Sequence, residues 1–505
     1  MKFKRLSAII AAVCLIGASA TAFVGCAEAE QTVTLRVCSW EEYIDLGGWE
    51  EDERLDIENP FTNEDSVFGK NSVVDDFTEW FYDEYGYKVK VEYSTFGTNE
   101  DLYNRLSLGD VYDLVCPSDY MMMKLLAEDA VEKYSESFFK GENNYYAQYV
   151  SPYIDDVFAQ YGWTDYAACY MWGTTGLVYN PEMLKAVEDV ATVNILLNED
   201  YKRRITAKDN VRDSYFAALG IVNEEQLTDT AISAQTRSSL LNDTESGTIA
   251  KAEDVLKRIK ENVYSFETDS GKADMVTGKV VANYQWSGDA VHIMDEADGD
   301  DTELWYSVPA ECSNLWFDGW IMLKNGIDGN DQKREAAEAF VNFLSRPDNA
   351  VRNMYYIGYT SAIAGDTVYD YMEYNYAAED DADETFEYDV SYFFGENSVI
   401  TADAACFDIE ENGEINRGRQ LFAQYPPANV TSRSVVMLDF GDKLGEINQM
   451  WINVRCLDLL DISPVTAGVV IAIICAVAAA ITLYVFRYKL FIKNKPRKGY
   501  TKIEN

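Results

Sequence analysis

The segment that fixes the architecture reads Tyr112-Asp113-Leu114-Val115-Cys116-Pro117-Ser118-Asp119-Tyr120. Its apolar centre predicts a short buried strand, which ends at Pro117 because proline cannot donate a sheet hydrogen bond. Asp119 is a residue type favoured at helix N-caps, so we expect a helix over residues 120–127. A strand that leads directly into a helix is the repeating unit of an α/β fold.

The same unit recurs on both sides of this segment. Strands are predicted at residues 34–38, 88–93, 176–179, 280–285 and 320–323, from short apolar or alternating runs. Helices are predicted at 73–85, 100–106, 288–297 and 332–344, from apolar residues at helical spacing. Strands that alternate with helices favour a parallel sheet. Two acidic stretches without clear periodicity, residues 46–71 and 379–402, are interpreted as insertions of no assigned function.

The N-terminus has the features of a bacterial export signal. Lys2, Lys4 and Arg5 precede an apolar run at residues 8–17, and the segment Phe23-Val24-Gly25-Cys26 resembles a lipobox. We therefore predict a lipoprotein-type signal peptide over residues 1–26, with lipidation of Cys26. An ordinary secretory signal that is cut nearby is the alternative.

The C-terminus contains an uncharged run of 22 residues, from Val465 to Phe486. About 20 apolar residues suffice to cross a bilayer, so a transmembrane helix is predicted over residues 464–486. The tail at 487–505 is basic, which by the positive-inside rule predicts a cytoplasmic tail and an extracellular or periplasmic main domain.

Composition excludes several classes of function. The formal net charge of the 505-residue chain is −44, which disfavours nucleic acid as a partner and gives weak support to a cationic ligand. His292 is the only histidine, and the nine cysteines show no metal-type spacing, so we predict no metal site, no cofactor and no catalytic residues. The six cysteines of the main domain could form disulfides or remain as buried free thiols.

Several segments, in this order along the chain, resemble the spermidine/putrescine-binding proteins of bacterial polyamine ABC importers. The resemblance covers about residues 33–455 without the two insertions. Its segments are Ser39-Trp40-Glu41-Glu42-Tyr43-Ile44, residues 112–120, residues 170–176, Asp209-Asn210-Val211-Arg212-Asp213, Gln285-Trp286-Ser287-Gly288, Leu315-Trp316-Phe317-Asp318, Ile357-Gly358-Tyr359-Thr360, Asp439-Phe440-Gly441 and Trp451.

The resemblance implies a two-lobe, periplasmic-binding-protein-like α/β fold with a hinged cleft. Lobe one would comprise residues 32–169 and 318–360, and lobe two residues 170–317 and 361–461. It also implies a function without chemistry on the ligand: the chain would not be an enzyme, and would deliver putrescine or spermidine to ABC permease and ATPase subunits.

The resemblance further implies the ligand-binding residues, and their types suit a polyamine. Its methylene chain suits flat apolar surfaces, and its ammonium groups suit carboxylates and the faces of aromatic rings. Aromatic contacts are expected from Trp40, Tyr43, Trp286, Trp316 and Tyr359, ion pairs from Asp213 and Asp318, and hydrogen bonds from Ser118 and Tyr120. Glu41 and Glu42 are further candidates near the mouth of the cleft.

Two departures from the family pattern bear on the ligand. Asn210 stands where the family commonly has a second carboxylate, and Met437 where some members have a polar amide. The loss of a carboxylate leaves a third ammonium group without a partner, which places spermidine in more doubt than putrescine and leaves room for another cationic solute. Three alternatives stay open: a binding protein for another cationic solute, a glycoside hydrolase that uses paired carboxylates, and a surface adhesion protein.

Overall fold

The computed structural model describes residues 32–50, 54, 57–62, 66–68, 71–268, 270–380, 382–410, 413–456, 468, 472–473 and 475–484. The chain divides into two compact units, residues 1–447 and 448–505. In the second unit, residues 475–484 are helical.

The strands of the first unit form one large mixed sheet and one small hairpin. The 13-stranded sheet has the main order β14-β15-β9-β5-β10-β3-β1-β2, with further pairings to β4, β6, β7, β8 and β11, and β12 pairs with β13. The strands are β1 (Thr32–Trp40), β2 (Lys88–Phe96), β3 (Leu114–Val115), β4 (Val131–Glu132), β5 (Ala167–Tyr179), β6 (Ile205–Lys208), β7 (Ser265–Glu267), β8 (Ala282–Trp286), β9 (Trp305–Ser307), β10 (Leu315–Leu323), β11 (Thr360–Ser361), β12 (Thr385–Asp389), β13 (Val399–Asp403), β14 (Phe407–Ile409) and β15 (Ile415–Gly418).

Parallel strands occur in both halves of the sheet, as the sequence predicts. In the first half β1 runs parallel to β2 and β3, and in the second half β6 runs parallel to β7 and β8. The halves are joined by β5, whose thirteen residues are all buried. Its first part pairs antiparallel with β10, and its last part pairs antiparallel with β8 and β9. Two sheet halves that share continuous strands define two lobes with a cleft between them.

The five helices predicted from the sequence begin within one residue of their predicted positions, and the described part of the chain contains twenty α-helices in all. They are α1 (Val73–Tyr85), α2 (Asn99–Leu108), α3 (Asp119–Ala127), α4 (Glu136–Lys140), α5 (Tyr145–Tyr149), α6 (Pro152–Tyr161), α7 (Val211–Val222), α8 (Glu224–Leu227), α9 (Ala234–Leu241), α10 (Ser246–Asn262), α11 (Ser270–Val276), α12 (Ser287–Gly299), α13 (Lys324–Ile327), α14 (Asp331–Leu344), α15 (Pro347–Ile357), α16 (Asp366–Tyr376), α17 (Ser391–Phe394), α18 (Gln420–Gln424), α19 (Ala428–Thr431) and α20 (Leu444–Arg455). Short 3-10 turns lie at Pro181–Met183, Val187–Ala191, Val193–Leu197, Glu199–Tyr201, Ala404–Cys406 and Gly441–Lys443.

Helix α1 shows why the periodic segments were predictable. Val73, Phe77 and Phe81 form its buried stripe, Ser72 accepts a hydrogen bond from the backbone N–H of Asp75, and Gly86 ends the helix with a φ of 74°. A left-handed residue after the last turn favours glycine because it has no Cβ. The start of α3 differs from the prediction by one residue: Ser118 is the N-cap, and Asp119 is the first helical residue.

The predicted C-terminal membrane helix is contradicted. Among the residues that the structure describes, no helix combines the length and the apolar character needed to cross a membrane. Residues 464–467, 469–471, 474 and 485–505 lie outside the described part of the chain, as do the signal peptide and Cys26.

Two further features refine the sequence interpretation. The acidic stretch at residues 379–402 contains most of the β12–β13 hairpin, which the sequence analysis did not predict. Within the described ranges every cysteine is a free thiol, and Cys38, Cys116, Cys169 and Cys312 are buried.

Candidate functional site

A cavity of about 680 Å³ lies between the two lobes, and all nine predicted ligand-binding residues line it. Residues of the first lobe approach from the carboxyl end of β1, from α3 and from α15, and those of the second lobe from α7 and α12. Trp316 and Asp318 come from β10. The nine predicted residues lie up to 319 positions apart in the sequence, from Trp40 to Tyr359, and they meet in this one cavity.

Asp318 is a buried carboxylate of the cleft that has only hydroxyl partners in the described part of the chain. Its side chain is buried, and it accepts 2.6 Å hydrogen bonds from the hydroxyl groups of Tyr43 and Ser118. Burial raises the pKa of Asp318 to about 6, against the opposing effect of these two hydrogen bonds. No lysine or arginine pairs with Asp318 among the described residues. A buried carboxylate held only by neutral donors has unused capacity for a cation.

Aromatic rings surround this carboxylate. The Tyr43 ring lies 5.6 Å from the Tyr359 ring, edge to face, and the Tyr359 ring lies 5.3 Å from Trp316, measured between centroids. Trp316 is oriented by its indole N–H, which donates to the backbone carbonyl of Thr174 at 3.2 Å. Trp40 lies at the end of β1 and packs on Phe96 at 4.7 Å. Together these rings offer both an apolar surface and π faces for a cation.

The second carboxylate, Asp213, lies in the first turn of α7. Asn210 is the N-cap of that helix, and its side chain accepts a hydrogen bond from the backbone N–H of Arg212. The indole N–H of Trp286 donates to Asp213 at 3.3 Å. Burial raises the pKa of Asp213 to about 6, although Lys208, this hydrogen bond and Arg212 act in the opposite direction.

Tyr120, which is predicted to hydrogen-bond the ligand, also has partners within the protein. Its hydroxyl accepts from the side-chain amide of Asn99 at 2.8 Å, while its ring is covered by the guanidinium of Arg212, whose central carbon lies 3.6 Å from the ring centroid. Arg212 also lies 3.7 Å from Glu100 on α2 and 3.4 Å from Asp439. Arg212 thus connects α7 of the second lobe to α2 and α3 of the first.

The sequence analysis missed Lys208, Lys272 and Asp289 as members of the site. The Asp289 carboxylate lies 2.8 Å from the Lys272 ammonium and 3.5 Å from that of Lys208, and it accepts from the Tyr359 hydroxyl at 3.2 Å. Burial favours the protonated form, but the two lysines and the hydrogen bonds lower the pKa of Asp289 overall. These residues come from β6, α11 and α12, so local sequence periodicity gave no signal of their meeting.

Tyr359 reaches this carboxylate because residue 288 is a glycine. A Cβ at Gly288 would lie 1.7 Å from the nearest carbon of the Tyr359 ring. Any larger side chain would therefore displace the ring.

In the described part of the chain, no cluster of three or more histidine, cysteine or acidic residues could hold a metal ion.

Comparison with known proteins assigns the family. The family model described as "Bacterial extracellular solute-binding protein" matches residues 72–368, which is more than half of the chain. The chain belongs to this family of solute-binding proteins. Curated relatives include the spermidine/putrescine-binding periplasmic protein of Salmonella typhimurium, 26% identical over 273 residues, or 54% of this solute-binding protein and 70% of the relative. The putrescine-binding periplasmic protein SpuD of Pseudomonas aeruginosa is 24% identical over 351 residues, or 68% and 81%.

Solved structures support the two-lobe fold of this solute-binding protein. The spermidine/putrescine ABC transporter substrate-binding protein PotD of Streptococcus pneumoniae superimposes with a TM-score of 0.53 at 20% identity, covering 84% of this chain and 98% of that one. A putative spermidine/putrescine ABC transporter protein of Listeria monocytogenes gives a TM-score of 0.55 at 21% identity, with the same coverage. The predicted two-lobe α/β fold is therefore confirmed, apart from the membrane helix.

Proposed function

We propose that this solute-binding protein captures a polyamine in the cleft between its lobes and delivers it to the permease and ATPase subunits of an ABC importer. The observation that carries the proposal is the state of Asp318, a buried carboxylate that has two hydroxyl donors and no cationic partner among the described residues. The names of the relatives support the same class of ligand.

Binding in this cleft follows from simple electrostatics. A ligand ammonium at Asp318 would form a charge-assisted hydrogen bond, and the rings of Tyr43, Tyr359 and Trp316 would solvate the same charge through their π faces. The methylene chain would lie against the indoles. Each cation–π contact contributes about 0.5–2 kcal/mol, so several such contacts can offset the desolvation of an ammonium group.

Closure of the cleft would couple binding to transport. The Arg212 contacts with Glu100 and Tyr120 join the lobes in the present conformation, and a ligand held by both lobes would stabilise the same arrangement. A permease that recognises this arrangement would distinguish the loaded protein from the empty one.

Lipidation of Cys26 would keep the binding protein at the membrane beside its transporter, which raises the effective concentration of the binding protein at the permease.

Calorimetric titration of the purified chain with putrescine and spermidine tests the proposal. We expect saturable binding of at least one of the two, and a higher melting temperature in its presence. Absence of heat and of thermal stabilisation with both amines would overturn it. Ferric citrate and oligosaccharides as parallel ligands separate the proposal from binding of a metal complex and from glycan hydrolysis.

Labelling of cells with a palmitate analogue, with Cys26→Ala as the control, tests the lipid anchor.

A further inference from the structure

One end of the cleft already contains an ammonium group of the protein itself. Lys208, the last residue of β6, is fully buried, and its Nζ lies 3.6 Å from the centroid of the Trp286 ring. The same Nζ donates to the backbone carbonyl of Thr268 at 3.0 Å and to Asp289 at 3.5 Å. Trp286 and a carboxylate are the kind of partners that a second ligand ammonium would need.

The two ends of the cleft differ in their balance of charge. At the Trp286 end the buried carboxylates Asp213 and Asp289 lie among the ammonium groups of Lys208 and Lys272. Arg212, the third cation there, is shared with Glu100 and Asp439. The buried charges at this end are therefore compensated before a ligand arrives. Asp318 at the other end has only hydroxyl partners among the described residues.

We infer that the buried charge of Lys208 limits the charge that the ligand can carry, so that the cleft prefers a slender amine with one ammonium end and one uncharged end. An N-acylated diamine is the simplest example of this class. The inference deepens the proposed function and rests on it. The ammonium end would pair with Asp318, and the uncharged end would lie near Trp286.

Charge repulsion is the physical effect behind this preference. A second ligand ammonium near Trp286 would meet the like charge of Lys208 in a buried site, where such repulsion is costly. An uncharged end in the same place would meet no such repulsion. Lys208 acts through its charge and not as a donor to the ligand, because its side chain is fully buried and its Nζ already faces Thr268, Asp289 and the Trp286 ring.

Titrations of the full chain with putrescine, N-acetylputrescine and 4-aminobutyrate test the inference. In putrescine and N-acetylputrescine four carbons separate the two nitrogen atoms, and in 4-aminobutyrate three carbons separate the nitrogen from the carboxylate. The far end of the probe is cationic in putrescine, neutral in N-acetylputrescine and anionic in 4-aminobutyrate. For the wild type we expect N-acetylputrescine to bind at least about tenfold more tightly than putrescine. In Lys208→Met, putrescine affinity should rise by about tenfold or more, and the preference should shrink or reverse.

Lys208→Met should fold, because Asp289 keeps Lys272 at 2.8 Å and the Tyr359 hydroxyl at 3.2 Å. Lys208→Gln is the second variant, since its amide can still donate to the carbonyl of Thr268. Lys279→Met is the matched control: Lys279 also lies over an aromatic ring, 4.3 Å from the Tyr264 centroid, and pairs with Asp274, but outside the cleft. It should leave all affinities unchanged.

The outcomes separate this inference from the proposed function. If amines bind and the preference is the same in the wild type and in both Lys208 variants, the inference is wrong and the proposed function stands. Tightest binding of putrescine or of 4-aminobutyrate by the wild type also overturns the inference, even if neither variant folds. If the wild type binds none of these probes and no spermidine, the proposed function fails first.

Discussion

The hydroxyl of Tyr43 donates a 2.6 Å hydrogen bond to Oδ2 of Asp318, across 275 residues of sequence. Tyr43 follows β1, whereas Asp318 belongs to β10, and β3 lies between these two strands in the sheet. Burial raises the pKa of Tyr43 well above its ordinary value, and the neighbouring Asp318 raises it further, so the phenol stays protonated and remains a donor. The carboxylate is thus oriented by the folded first lobe before any ligand binds.

Replacing Asp318 by Asn should weaken amine binding by more than about tenfold, because a buried ammonium would lose its charged partner. The amide oxygen can still accept from Ser118 or Tyr43, so the fold should persist. Calorimetry measures the affinity. Asp243→Asn is the control: Asp243 accepts from the hydroxyl of Thr248 at 2.6 Å, outside the cleft, and its replacement should not change binding. Equal affinity of Asp318→Asn and the wild type would contradict the role of Asp318.

Affinity for amines should fall as the pH is lowered from 7.5 to 5. Asp213 and Asp318 have pKa values of about 6, because both are buried, and a protonated carboxyl no longer attracts an ammonium group. Titrations at half-unit steps should place the midpoint near pH 6. In Asp318→Asn this dependence should be shallower. An affinity that stays constant over this range would show that neither group titrates near the ligand.

The contribution of Asp318 to the stability of the ligand-free protein should change with pH in the direction opposite to the ligand affinity. An unfolded aspartate has a pKa of about 3.9, so between that value and about 6 the folded state binds more protons at Asp318 than the unfolded state does. The contribution of this residue to the free energy of unfolding therefore decreases as pH rises through this window. Melting temperatures of the wild type, relative to Asp318→Asn, should be higher at pH 5 than at pH 7.5. The reverse order would contradict the burial argument.

Replacing Gly288 by Ala should displace the Tyr359 ring, because the added Cβ would lie 1.7 Å from a ring carbon. Such overpacking costs about 1–3 kcal/mol and would also break the hydrogen bond from Tyr359 to Asp289. We expect a lower melting temperature and weaker ligand binding. Gly299→Ala in the same helix is the matched control, since nothing lies within 4 Å of its Cβ position.

Replacing Arg212 by Lys should weaken closure of the cleft. The ammonium keeps the charge but loses the planar stacking on Tyr120, which the guanidinium covers at 3.6 Å. Ligand affinity should fall by about tenfold, and small-angle scattering of the ligand-free variant should give a larger radius of gyration than the wild type. Arg237→Lys is the control, because Arg237 donates to the backbone carbonyls of Leu227 and Glu311 within the second lobe.

Much of the fold could be predicted because its signals are local. The buried stripe of α1 and the short apolar strand before Pro117 follow directly from spacing and from residue type. The β12–β13 hairpin was missed although β12, Thr385–Asp389, alternates polar and aromatic residues, because this short strand lies in an acidic stretch and only Tyr388 of it is buried. The membrane-helix prediction relied on the length and apolar character of the run at residues 465–486, and no helix in the described part of the chain combines the two.

The site could be predicted only in part, for a related reason. The family resemblance located Trp286, Asp213 and Asp318 because their neighbours in sequence carry recognisable patterns. Lys208 ends a four-residue buried strand, where a buried lysine has no local explanation. Its role depends on Trp286 and Asp289, which are brought to it by the pairing of β6 with β8. Contacts of that kind follow from sheet order rather than from sequence spacing.

The contact between Trp316 and Gly173 has an optical consequence. A Cβ at Gly173 would lie 2.5 Å from the Trp316 indole, so this ring rests directly on the backbone of β5, where that strand passes from one lobe to the other. Its N–H also donates to the next residue, Thr174. Bending of β5 during hinge motion would therefore alter the surroundings of the indole, and its fluorescence emission would serve as a built-in reporter of opening and closing.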